Sequence, residues 1–162
     1  MVQKSLNKRF NKAKTVLNIT ESTKTLEIYD SGKIIILDKP PPDGGSVVTL
    51  PLATEDNIGL RFDFFIKSKP NSLGGSTNSY TIQCGSTDDL YTGALTIVDV
   101  DTAGDTNTFQ PDLSDDYQIF LNGDTKGRLV GGRFCLLYIA ENRIQVNGFL
   151  VGTGTLLTPF SI

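Results

Sequence analysis

The chain has 162 residues, 38% of them hydrophobic, with two cysteines, no tryptophan and no histidine. That length suits one domain with a working core and no staples, while the missing histidine excludes Ser-His and Cys-His nucleophile pairs, imidazole metal ligands and the commonest general base. The net charge of −3 is uneven: residues 1–14 hold five basic residues and no acid, which leaves 15–162 at −8.

The chain divides at about residue 15 into a basic arm and a body, 16–162. In the arm, Val2, Leu6, Phe10, Ala13 and Leu17 recur at helical spacing beside a basic face of Lys4, Lys8, Arg9, Lys12 and Lys14. Such a short helix is marginal in water unless something holds it. A solvated tail and a nucleic-acid contact are the competing readings. Phosphate binding needs no apolar stripe, so Leu6 and Phe10 favour docking on a protein surface. The segment has no apolar h-region, and no apolar run approaches the ~20 residues of a membrane-spanning helix.

From Val16 the pattern changes to short β-type runs between turn residues. These are 16–20, 25–29, 33–37, then 46–51 beyond the Pro40–Gly45 loop, and 59–67. In 59–67, Leu60, Phe62, Phe64 and Ile66 share one face, opposite Arg61, Asp63 and Lys67, and Phe65 points outward. After a glycine- and serine-rich loop at 68–78 come runs at 79–84, 90–100 and 116–121, a turn at Asn122-Gly123-Asp124, and a hairpin of 132–140 with 143–151. The expected fold is all-β, an antiparallel sandwich or jelly roll of roughly ten strands by the pattern rules, with no helix beyond the arm. No fixed-period repeat is visible, which argues against a propeller or solenoid.

The closest approach to a metal motif is Asp99-x-Asp101-x-x-Gly104-Asp105. It follows the start of an EF-hand calcium loop, but Ala103 and Gln110 stand where further oxygen ligands belong. An acidic surface loop is the expectation, with calcium left open. Asp88-Asp89 and Asp115-Asp116 are paired acids, yet neighbours on a strand face opposite ways, so they read as charged residues beside turns rather than a glycosidase pair. No catalytic residue and no cofactor site is expected. Cys84 and Cys135 sit in apolar strands as thiols by default, and a disulfide stays open only if those strands are adjacent.

Several stretches resemble small structural proteins of tailed-bacteriophage virions: Asp30-Ser31-Gly32-Lys33 with Leu37-Asp38, then Val48-Thr49-Leu50-Pro51, then Gly59-Leu60-Arg61-Phe62-x-Phe64. Asn78–Ile82, Leu121-Asn122-Gly123 and Gly148–Thr155 fit the same pattern. The resemblance implies a head decoration (cement) protein: β-rich, homotrimeric, located in the virion after assembly in the host cytoplasm, with the major capsid protein or other virion subunits as partners. Its implied role is to bind the outer head lattice and stabilise it against internal DNA pressure. Membrane association is not implied, and the acidic body disfavours nucleic acid. The arm lies outside the matched motifs. Phe65, Phe109, Leu156, Leu157, Phe160 and Ile162 are candidates for burial between subunits or in the core. A tail or fibre-tip component binding host glycan is the alternative, with Tyr29, Tyr91, Tyr117 or Tyr138 stacking on sugar rings.

Overall fold

A computed structural model describes residues 15–38, 46–67, 79–101, 105–123, 125–127 and 130–162. The arm, with Lys4, Leu6, Lys8, Arg9, Phe10, Lys12 and Lys14, lies outside them, as do the Pro40–Gly45 loop and 68–78. The strands are β1 (Val16–Ile19), β2 (Thr23–Thr25), β3 (Ile34–Leu37), β4 (Ser46–Thr49), β5 (Arg61–Ile66), β6 (Tyr80–Gln83), β7 (Leu90–Asp99), β8 (Thr106–Phe109), β9 (Gln118–Leu121), β10 (Arg133–Ala140), β11 (Arg143–Gly152) and β12 (Phe160–Ser161). Among the described residues the body is all-β, with two single 3₁₀ turns at Ile28–Asp30 and Glu55–Asn57. No helix among the described residues is long and apolar enough to cross a membrane.

The strands form a seven-stranded sheet, ordered β1-β3-β5-β10-β11-β7-β8, and a five-stranded sheet, ordered β12-β9-β6-β4-β2. From β1 to β6 the chain alternates between them at every step, and each strand pairs in parallel with the strand two places on. The first half of the body is therefore wound as stacked coils. Neither expectation of the sequence anticipates this. Uniformly antiparallel pairing is corrected to mixed sheets, since β7 and β11 also run parallel. Winding is present without the repeat that normally announces it. The register steps from Val16 to Ile34 and then from Ile34 to Asp63, so the second coil is longer than the first by more than half.

The antiparallel part of the fold centres on β10, which pairs with both β5 and β11. Glu141-Asn142 links Ala140 to Arg143, with a register irregularity between Tyr138 and Ala140, and Asn142 takes a φ of 54°, the left-handed conformation that asparagine tolerates better than most residues. The expected strand at 25–29 is corrected to β2 plus a 3₁₀ turn. Asp30 explains the change: its carboxylate, nearly buried, accepts from the Glu27 amide at 2.9 Å and from Lys33 Nζ at 2.5 Å, which curls the chain instead of extending it. The short strands β8 and β12 carry too few alternating positions to announce themselves.

Both sheets contribute to one hydrophobic core. Within it Phe64 stacks on Phe134 at 5.0 Å, and Phe62 meets Tyr138 edge-on at 6.0 Å. Across the sheets, Tyr91 of β7 packs against Phe160 of β12 and donates its hydroxyl to the Ile82 carbonyl of β6 at 3.1 Å. Each such side chain contributes about 1.5–3 kcal/mol through burial, and the tyrosine hydroxyl gives the packing a fixed register. Leu156 and Phe160, candidates for a subunit interface, belong to this core.

Candidate functional site

Alternation along β5, β10 and β11 turns one set of residues away from the core and onto the open face of the seven-stranded sheet. Register aligns them in rows across the strands. One row runs Ile34, Asp63, Cys135, Asn147, and the next runs Ile36, Phe65, Arg133, Phe149, Thr96. With Arg61, and without Ile36, they line a groove of about 580 Å³.

Two electrostatic features organise the groove. Arg61 Nε and Nη2 both donate to Asp63 Oδ1, at 3.1 and 2.8 Å. The Asp63 hydrogen bond, with the Cys135 and Asp63 charges beside it, raises the guanidinium above its ordinary range. Arg61 stays charged at any working pH, and the Asp63 carboxylate is largely compensated. In the next row, the Arg133 guanidinium rests 5.4 Å from the centroid of the Phe149 ring. An exposed cation–π contact of this kind contributes about 0.5–1 kcal/mol and orients the guanidinium. Phe65, on the other side of Arg133 in the row, is 36% exposed, as its break in the strand alternation predicts.

The other interface candidates separate by burial. Leu157 and Ile162 are exposed, Phe109 packs half-buried against the core, and Leu156 and Phe160 are buried. The tyrosines divide in the same way. Tyr91 and Tyr138 are core struts, the latter donating to the Pro51 carbonyl at 2.7 Å, so neither offers a ring to a sugar. Burial pushes the hydroxyls of both up from their usual range. Tyr29 is exposed, with Lys33 Nζ 5.2 Å from its ring centroid, and Tyr117 is half-buried.

Asp99, Asp101 and Asp105 do line one hollow, of about 410 Å³, with Asn107 and the Gly154–Leu156 segment. Their carboxylates serve the backbone. Asp99 Oδ1 accepts from the Asp101 amide at 3.1 Å, and Asp101 Oδ2 accepts from the Gly154 amide at 3.0 Å. These bonds tie the turn after β7 to the C-terminal segment, and among the described residues no group of three acids or thiols is placed to hold a metal ion. Asp89 is likewise a brace. It is 2% exposed and accepts from the Ala53 amide at 3.0 Å, whereas its neighbour Asp88 faces solvent. Asp116 accepts from the Asp112 amide, and burial raises its carboxyl, with the Asp115 and Asp112 charges adding to the rise.

Cys84 and Cys135 are both thiols, one buried beside the core and one on the open sheet face. Burial pushes the Cys84 thiol up to about 12. Arg133 and Phe149 were not singled out from the sequence. Their outward alternation was legible, but their alignment with Phe65 depends on which strands pair. No protein-family model matches this chain, and no curated protein or solved structure matches it.

Proposed function

We propose that this chain is a structural protein of a tailed-phage virion, a head decoration protein with a β-sandwich body, and that it acts by docking rather than by turnover. The observation that carries the docking reading is the groove on the seven-stranded sheet. It sets an arginine between two phenylalanines on a rigid strand platform, the composition enriched where protein interfaces concentrate their binding energy. The virion assignment comes from the sequence resemblance. The two readings fit together physically. A protein that binds the intact lattice but not a ruptured one stabilises the lattice by mass action, and several weak contacts per oligomer multiply through avidity. The basic arm, with Leu6 and Phe10 on its apolar stripe, extends that reach to a neighbouring subunit.

Imaging of purified particles tests the assignment through position and copy number. Hundreds of copies on the outer head support it. A handful at the tail favours the glycan-binding alternative, for which exposed Tyr29 is the best-placed ring. Deleting residues 1–14 is expected to lower head occupancy while leaving the body folded. Unchanged occupancy overturns the role given to the arm.

A further inference from the structure

Among the described residues, the Arg133 side chain has Phe149 as its contact and no carboxylate partner, while Arg61 and Asp63 neutralise one another. The groove thus presents one uncompensated positive charge between aromatic walls, in a body whose net charge is −8. Its complement is a carboxylate flanked by apolar side chains and held on a rigid knob.

The body carries such a knob. The turn from Leu52 to Ile58 exposes both of those side chains, each at 52%, and brackets Glu55 and Asp56. Neither carboxylate has a hydrogen bond or ion pair among the described residues. The turn is fixed at several points. Asn57 Nδ2 donates to the Leu52 carbonyl at 2.7 Å, the Ala53 amide donates to buried Asp89, and the Asn142 amide donates to the Ala53 carbonyl at 2.8 Å. Such a knob loses little freedom on docking. A second acidic turn, Asp112–Asp116 with exposed Leu113, has two of its three carboxylates engaged within the turn: Asp112 with Ser114, and Asp116 with the Asp112 amide.

We propose that the Leu52–Ile58 turn of one copy seats in the sheet groove of a second copy, with Glu55 and Asp56 facing Arg133 and with Leu52 and Ile58 against Phe65 and Phe149. Knob and groove are different patches, so the contact between copies is head-to-tail. This association is independent of the virion assignment and is a property of the purified chain.

Analytical ultracentrifugation of the full chain tests it with three variants: Arg133→Glu, Glu55→Lys with Asp56→Lys, and all three substitutions together. All these positions are exposed, and circular dichroism checks that each variant folds. The wild type is expected to associate with concentration and to weaken with salt. Arg133→Glu alone, or the double lysine variant alone, is expected to weaken association at least about tenfold, and the triple variant is expected to recover most of it. Mixing the Arg133→Glu protein with the double lysine protein brings the acidic knob to the arginine groove and the lysine knob to the glutamate groove, and is expected to restore head-to-tail association that neither protein shows alone. If Arg133→Glu fails to fold, Phe149→Ala is the substitute and is expected to weaken association in the same way. A wild-type chain that stays monomeric at about 1 mM overturns the proposal. So does association that survives Arg133→Glu, or a triple variant no better than the singles.

Discussion

Gly59 and Gly93 form a natural pair for separating two costs that usually travel together. Their φ values are nearly equal, +93° and +98°, in a region that L side chains rarely adopt. Their surroundings differ completely. A Cβ at Gly59 meets nothing within 4 Å, whereas at Gly93 it falls 2.2 Å from the Val146 carbonyl oxygen. Gly93 pairs with Val146 in the parallel ladder of β7 and β11, so the overlap is with a backbone atom of the adjoining strand. Alanine at Gly59 incurs only the backbone strain, about 1–2 kcal/mol. Alanine at Gly93 incurs that strain plus an overlap relieved only by moving a central strand, which adds about 1–3 kcal/mol and brings the loss to roughly 2–5 kcal/mol. For a chain of this size that loss is a fall in Tm of about 4–20 °C for Gly93→Ala. Urea denaturation followed by circular dichroism gives the comparison directly, as separate midpoints at unchanged slope. Equal losses for the two variants would refute the steric argument, because φ alone would then account for both.

Two further outcomes follow from titratable groups. Burial opposes ionisation of Asp30, but the Lys33 hydrogen bond and the Glu27 amide outweigh it, so the carboxyl titrates below its usual range. Asp30 therefore contributes stability that is fully present above its unfolded pKa of about 4 and is lost as pH falls through the folded value. Asp30→Asn is expected to lower the urea midpoint at pH 7 and to flatten its decline below about pH 4; an unchanged acid limb would show that the pairing with Lys33 contributes nothing. For the cysteines, thiol labelling at pH 8 is expected to modify Cys135 alone in the native chain and Cys84 only after unfolding, since burial holds Cys84 protonated. Rapid native labelling of both thiols would contradict the buried placement of Cys84.

The strands were legible wherever one face is buried and the other solvated. In β5 the alternation of Phe62, Phe64 and Ile66 against Arg61 and Asp63 is the structure itself read in one dimension. The hairpin of β10 and β11 was equally plain, because its pairing is local. What was lost is non-local. Parallel pairing of β1 with β3 and of β3 with β5 leaves no mark on any single strand, and coils of unequal length erase the repeat that would reveal it. The same limit hid the groove. Phe65, Arg133 and Phe149 come from three strands, and only the register of β10 with both neighbours sets them side by side. Buried polar roles were hidden for a different reason. Asp89 resembles Asp88 in sequence, and only the Ala53 amide makes it a brace.

The winding of the first half has a mechanical consequence. β1 and β2, the two strands of the first coil, are also edge strands of the two sheets, so each has a single neighbour. The arm joins the body at β1, which is held to β3 by a ladder of four residue pairs. Tension transmitted through residues 1–14 thus falls first on the shortest path out of the fold. β1 peels from β3, then β2 from β4, one coil at a time, while the β10–β11 hairpin and the aromatic core remain out of the load path. A load entering there opposes one ladder of four pairs, where a load applied across the central strands opposes ladders on both sides of each strand.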